Sequence, residues 1–254
     1  PPIVIDSIYS ALNNLGFKYG NILEPACGTG NFLGRLPENM KDSKLYGIEL
    51  DSITGRIAKQ LYQKANITID GYENTNLPDS FCNVPFGQFK VSDKRYDRLN
   101  FNIHDYYFAK TLDKVRPGGI IAFVTSKYTM DKANSSVRKY INERAELLGA
   151  IRLPNTTFSE SANTKAVSDI VFLKKRERPM VVDEPWLYTQ EDANGFVYNA
   201  YFQNHPDMVL GNFEMSKSMY GRDELTVVPF DDIPLKDSLE KAVSNIQGKM
   251  DQII

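Results

Sequence analysis

The sequence predicts an α/β fold: a doubly wound, mostly parallel sheet with a closing antiparallel hairpin. Three observations carry that expectation. Short apolar runs that suit buried strands alternate with stretches of helical period. The first such run, Asn21-Ile22-Leu23-Glu24, leads straight into a turn that holds Gly28 and Gly30. The run Ile120-Ile121-Ala122-Phe123-Val124 is apolar at every position, as a strand covered on both faces requires.

The bulk properties permit such a domain. The chain has 254 residues, 42% of them hydrophobic and 24% charged, which is enough to bury a sizeable core and argues against disorder. No apolar run approaches the ~18 residues of a membrane helix. The start, Pro1-Pro2-Ile3-Val4, has neither a basic region nor a cleavage pattern, so it is not a signal peptide. With no initiator Met, and helix-like sequence beginning at once, it predicts a piece of a longer protein. Two cysteines, Cys27 and Cys82, and two histidines, His104 and His205, form no Cys-x-x-Cys or His/Cys cluster. A structural zinc is therefore not expected, and reduced thiols in a cytoplasmic protein are. The net charge of -2 argues against a strongly basic nucleic-acid binder but leaves room for local basic patches.

The elements follow in order. Ile3, Val4, Ile8, Leu12 and Leu15 fall at helical spacing, and Gly16 closes the run. After the first strand and its turn, Asn31 to Leu36 begins a helix. Leu45 to Glu49 is a second strand, Asp51 or Ser52 caps a helix running to about Lys64, and Ile67 to Ile69 is a third strand. A helix runs from about Ile103 to Val115, before Arg116-Pro117-Gly118-Gly119 and the strand from Ile120. Residues 134–147 carry a helical pattern, and Leu148 to Leu153 and Val167 to Leu173 suit two more strands. Composition shifts near Lys174 to Pro179 and the βα alternation stops. Residues 1–178 are thus expected to form the catalytic domain. Residues 179–254 would be an extension or the start of a further domain, ending in a helix from about Leu235.

The turn Glu24-Pro25-Ala26-Cys27-Gly28-Thr29-Gly30-Asn31-Phe32-Leu33 suits a ligand pressed against backbone, with amides facing it. The third glycine of a dinucleotide fingerprint is missing, since position 33 is Leu, which weakens a pyrophosphate reading. Glu49, at the end of the second strand, lies nineteen residues after Gly30, close to the ~20 that places an acid on ribose hydroxyls. Taken alone, Glu49 reads as a solvated charge at a strand end; the combination of strand, Gly-x-Gly turn, second strand and terminal acid favours the ribose role.

This segment resembles the first motif of adenine-N6 DNA methyltransferases of the type in which the cofactor motif precedes the catalytic one. That family includes type I modification subunits. Its pattern Glu/Asp-Pro-x-Cys-Gly-x-Gly-x-Phe-Leu is matched throughout. The resemblance implies S-adenosyl-L-methionine as cofactor. Glu24, Ala26, Cys27, Gly28 and Gly30 would face its methionine end, Glu49 its ribose, and Glu73, ahead of Asp70, its adenine amino group. Pro2 to Ile5 would start the helix beside it.

Asn83-Val84-Pro85-Phe86 resembles the same family's Asp/Asn-Pro-Pro-aromatic catalytic motif. An exocyclic amine conjugated to a ring is a poor nucleophile, because its lone pair is delocalised. Two acceptors aimed at its N–H bonds favour a more tetrahedral nitrogen. The Asn83 side-chain oxygen and the Val84 carbonyl can be those acceptors, and Phe86 can stack on a base flipped out of the duplex. Alone, the four residues are an ordinary Asn-x-Pro turn; downstream of Gly28, Gly30 and Glu49 they read as catalytic. Pro78 is awkward in the strand that should precede them. A very short strand and residues missing from the sequence are both compatible with that.

Further along, Asn102 to Phe108 resembles the next family motif, a helix behind the cofactor, with Tyr107 and Phe108 in the core. Ile151 to Phe158 with Asp169 to Lys175 resembles the closing hairpin of modification subunits, where Phe158 lines the base pocket or the core. Basic residues cluster at Lys90, Lys94, Arg95 and Arg98, and at Lys127, Lys132, Arg138 and Lys139, as phosphate contacts or as solvated faces. Tyr201 to Gly211 is similar to segments of large methylase–helicase proteins of phage and conjugative elements. The expected partners are DNA and other parts of a longer parent, such as a helicase. Methylation of an RNA base or of a protein glutamine, or a non-catalytic scaffold, are the competing functions.

Overall fold

The computed structural model describes residues 1–75, 91–162, 165–217, 221 and 223–249. Helix α1 (Pro2–Asn14) begins on a proline in its first turn and buries Val4, Ile8, Ala11 and Leu12. It closes with Gly16 N–H on the Asn13 carbonyl and Phe17 N–H on the Leu12 carbonyl, the paired bonds of a Schellman stop. Strands β1 (Asn21–Glu24), β2 (Lys44–Glu49) and β3 (Asn66–Ile69) pair in parallel in the order β1-β2-β3. Between β2 and β3 runs α2 (Ser52–Leu61), capped by Asp51, whose carboxylate accepts the Thr54 N–H at 2.7 Å.

The helix expected at 31–36 is a single 3-10 turn, Leu33–Arg35. Pro37 is the reason. The residue before a proline is pushed out of the helical region, and Leu36 sits at ψ 123°.

Helix α3 (Ile103–Lys114) precedes β4 (Ile120–Ser126), which is buried from Ile120 to Thr125. A single turn, α4 (Tyr128–Asp131), and α5 (Ser136–Arg144) follow. The chain then enters β5 (Ala145–Leu153), so the helical pattern expected to reach 147 stops three residues early. Ala145, Glu146 and Leu147 pair with Lys175, Lys174 and Leu173, and these ladder bonds override a locally helical sequence. The turn α6 (Ser159–Ala162) leads to β6 (Ser168–Lys175), which lies between β4 and β5 and is antiparallel to both. The closing hairpin is therefore present. Among the described residues up to Lys175, the strand pairings divide into a parallel three-stranded group and this group built on β6.

Past residue 178 come the small hairpin β7 (Thr189–Glu191) and β8 (Val197–Asn199), then α7 (Ala200–Asn204). The hairpin β9 (Asn212–Lys217) and β10 (Asp223–Val228) and helix α8 (Leu235–Ser244) complete the chain. Trp186, Leu187, Tyr198, Phe202, Leu210, Leu239 and Val243 join the same apolar core as Leu12, Ile48, Phe123 and Phe172. Helix α8 packs on α1.

Buried polar groups fix this attachment. Arg138 is 1% exposed and gives its guanidinium to the carbonyls of Leu187, Thr129 and Lys132. Asn142 binds the Val182 carbonyl and the Trp186 indole N–H. Arg152, also 1% exposed, holds Asp169 at 2.8 Å and Asp131 at 2.8 Å, each through two hydrogen bonds, over the Phe202 ring. Asp131 in turn accepts the Asn199 N–H. Burial opposes the Arg152 charge, but Asp169 and Asp131 outweigh it and raise its affinity for the proton. Removing one partner of a buried ion group leaves uncompensated charge, which costs about 3–5 kcal/mol. Arg152→Met should lower unfolding stability by about that amount in urea titration; a loss under about 1 kcal/mol would show that the network does not hold the strands and the later residues together.

Candidate cofactor site

The C-terminal ends of β1, β2 and β3 meet around one residue, Glu49. The turn after β1 is pinned by Cys27 N–H on the Ile48 carbonyl and Gly30 N–H on the Cys27 carbonyl. Gly28 N–H then donates to Glu49 Oε2 at 2.8 Å. The other oxygen, Oε1, accepts the Asp51 N–H at 2.8 Å, at the start of α2. The Glu49 carbonyl accepts the Asp70 N–H, which attaches the end of β3. Glu49 thus binds all three strand ends through its backbone or its side chain.

Two glycines are required here for different reasons. Gly28, at φ +55°, faces open space: a Cβ there would meet no atom within 4 Å. Gly30, at φ +87°, faces inward, and a Cβ would lie 2.4 Å from the Tyr62 ring. Tyr62 had no part in the sequence reading. It ends α2 and packs under the turn, where its hydroxyl also fills the space beside Gly34. Phe32 anchors the far side, its ring tilted against that of Tyr9 of α1 with centroids 4.5 Å apart, and the Tyr9 hydroxyl donates to the Phe32 carbonyl. The helix expected beside the cofactor loop therefore touches it.

Glu24 is 5% exposed and Pro25 is buried, while Ala26 and Glu49 are partly exposed. Cys27 is 4% exposed. Burial, with the charges of Glu24 and then Glu49 nearby, pushes its thiol up to about 12. It is therefore a protonated packing group at neutral pH.

Glu73 and Asp70 separate clearly. Asp70 is exposed and accepts Gly71 N–H at 2.7 Å and Asn74 Nδ2 at 2.8 Å, so it caps the turn. These bonds, from Asn74 and then Gly71, hold it below the usual carboxylate range. Glu73 sits in the 3-10 turn Tyr72–Asn74, with its carboxylate folded across Gly71.

Asn83, Val84, Pro85 and Phe86 lie outside the described residues, as do Pro78 and the strand expected before them. Phe158 is half-buried against the core. The first basic cluster is exposed at Lys94, Arg95 and Arg98, with Arg95 paired to Asp113 at 3.1 Å; Lys90 lies outside the described residues. In the second cluster Lys132 and Lys139 are exposed. Lys127 and Arg138 are neither phosphate contacts nor a solvated face. Lys127 is 8% exposed and binds Glu224 and the Leu225 carbonyl, and Arg138 is the buried carbonyl clamp described above.

Residues 1–205 match the family model described as N-6 DNA Methylase. The chain belongs to that family. It is 30% identical over 207 residues to the "Defense against restriction protein B" of Escherichia phage P1; the match covers 76% of this chain and 9% of that protein. The chain therefore spans a small part of that relative. Among solved structures it is similar to the type I restriction enzyme EcoKI M protein, at 14% identity and TM-score 0.55 over 97% of this chain and 69% of that one. It is similar too to a Listeria monocytogenes protein described as a class I S-adenosylmethionine-dependent methyltransferase. There the identity is 21% and the TM-score 0.56, over 72% of this chain and 60% of that one. These likenesses show that the chain has the α/β methyltransferase fold, and the cofactor expected from the first motif is the one named for the Listeria protein.

One test addresses the loop chemistry. At pH 8 the folded protein and its Cys27→Ala variant should expose the same number of thiols to an aromatic disulfide reagent, since Cys27 is buried and protonated. An additional fast-reacting thiol in the unaltered protein would contradict the assignment.

Proposed function

We propose that this chain transfers a methyl group from S-adenosyl-L-methionine to N6 of an adenine flipped out of duplex DNA. The observation that carries the reading is the Glu49 carboxylate seated on the Gly28 amide, beside a turn whose glycine faces open space. A carboxylate has about four acceptor sites, and two are used by the Gly28 and Asp51 amides. Two remain for the vicinal hydroxyls of a ribose. Buried Glu24 adds a second negative charge near the turn. Two carboxylates repel a pyrophosphate and suit a ligand with a positive sulfonium, which favours S-adenosyl-L-methionine over a dinucleotide. Glu73, which does not share the capping duty that occupies Asp70, would accept from an adenine amino group.

The bound cofactor would supply a methyl group activated on sulfur. The chain supplies position. Ala26, Cys27, Gly28 and Gly30 present backbone to the methionine end, and Glu49 fixes the ribose. The Asn83 oxygen and the Val84 carbonyl accept from the target amine, so that its lone pair points at the methyl carbon. Pro85 belongs to that turn, and Phe86 stacks on the flipped base. No strong general base is needed, because the amine proton becomes acidic once nitrogen is alkylated; the gain comes from orientation and electrostatics.

The two three-stranded groups are read as halves of one doubly wound sheet, which their shared core supports. Residues 1–178 carry the catalysis, and residues 179–254 are an extension packed on it. DNA is the substrate partner, in the cytoplasm. The context is restriction-modification or a mobile element, with a helicase or other segments in the same parent polypeptide.

Labelled cofactor incubated with duplex DNA, RNA or protein locates the product. Label on adenine N6 is expected; label on RNA or on protein glutamine, or binding without transfer, would overturn the reading. Asn83→Ala should keep cofactor affinity and lose turnover by roughly 100-fold or more. Glu49→Ala should raise the cofactor dissociation constant, and an unchanged constant would remove Glu49 from the site.

A further inference from the structure

Lys110 is a lysine at a position where the helix period calls for an apolar residue. It follows Phe108 and Ala109 in α3, both fully buried, and its own side chain is 5% exposed. Its Nζ donates to the Glu73 carbonyl at 2.8 Å and to Asp93 Oδ2 at 3.0 Å. The ammonium also lies 5.2 Å from the Tyr72 ring centroid and 5.9 Å from that of Tyr106. Tyr106 gives its hydroxyl to the same Asp93 oxygen at 3.0 Å. Tyr72 is stacked on Tyr107 and hydrogen-bonded to Thr111, so both rings belong to the α3 surface. Burial would raise the Asp93 carboxyl, but Lys110, the Arg95 amide and the Tyr106 hydroxyl together hold it below the usual range.

A buried cation needs a counter-charge to be tolerated. Asp93 alone would meet that need. The bond to the Glu73 carbonyl does something further, because it ties the turn after β3 to the same ammonium. Glu73 and Asp93 stand ten residues before and ten residues after Asn83. One side chain on one helix therefore grips the chain on both sides of the catalytic motif, and on one side it grips the very residue assigned to the adenine amino group.

We propose that Lys110 is a positioning residue that holds the turn bearing Glu73 in place at the adenine end of the cofactor. It acts through the Glu73 carbonyl and the Asp93 carboxylate, and touches neither cofactor nor base. This inference rests on the methyltransfer reading above.

The test uses Lys110→Arg, Lys110→Met and the double variant Lys110→Met with Asp93→Asn. Lys110→Met leaves a carboxylate without its ion partner and should lower Tm. The double variant removes both charges and should recover Tm to near that of the unaltered protein. A stabilising ion pair would then be fully replaced, and cofactor affinity would return with stability. A positioning role predicts otherwise. The double variant keeps a normal Tm yet binds S-adenosylhomocysteine at least tenfold more weakly. Lys110→Arg, which keeps a cationic donor, recovers part of that affinity. Recovery of affinity together with Tm in the double variant would overturn the inference, as would unchanged affinity in Lys110→Met. Binding of S-adenosylhomocysteine reads the inference without transfer, so an unaltered protein that binds cofactor but methylates nothing would sink the catalytic reading alone.

Discussion

Both oxygens of Glu49 are held by backbone N–H groups, and the site is arranged around that hold. Gly28 donates from the turn after β1, and Asp51 from the start of α2. The backbone of the same residue receives Asp70 after β3. Strand ends normally leave unsatisfied groups that water must serve. Here one glutamate joins three of them, and the open face of Gly28 sits where the carboxylate still has lone pairs to offer. Preorganisation follows: the acceptor is fixed before a ligand arrives, so little ordering remains for binding to pay for.

Charge is distributed to the same end. Burial first, and then the charges of Glu24 and Glu49, keep the Cys27 thiol protonated. Among the described residues, buried cations are committed elsewhere. Lys110 is bound to Asp93 and the Glu73 carbonyl, Arg152 to Asp131 and Asp169, and Lys127 to Glu224. The buried arginines instead fasten residues 182–210 to the core, through Arg138 to Leu187 and through Arg152 and Asp131 to Asn199. The family match ends at residue 205, within that fastened stretch.

Much of this was legible in the sequence, and the exceptions have physical causes. The strands β1, β2 and β3 and the helices α1, α3 and α8 lie where local periodicity puts them, because each carries its own apolar face and stop signals. That Glu49 belongs with the glycine turn was legible from the first strand, the Gly28-x-Gly30 turn, the second strand and the spacing from Gly30 taken together, while the Gly28 N–H bond to its carboxylate was not. Asn83 to Phe86 read as a catalytic motif by resemblance, and they lie outside the described residues. Three features escaped. The early end of α5 depends on ladder bonds from Lys174 and Lys175, which lie thirty residues away in the sequence. The single turn after Gly30 was signalled by Pro37, which was overlooked. The third is burial of charge: Lys110, Arg138 and Arg152 look like surface residues to any pattern that equates charge with solvent. Their signal was position, since Lys110 falls within a buried stretch of helix and Arg152 within an apolar strand.

A structure with S-adenosyl-L-methionine bound tests the central claim most directly. The account predicts both ribose hydroxyls within hydrogen-bonding distance of Glu49, with the Gly28 and Asp51 amides still donating to that carboxylate and the cofactor's methionine end over the open face of Gly28. A cofactor bound elsewhere, or a Glu49 side chain that swings away from Gly28 when the site is filled, would contradict it.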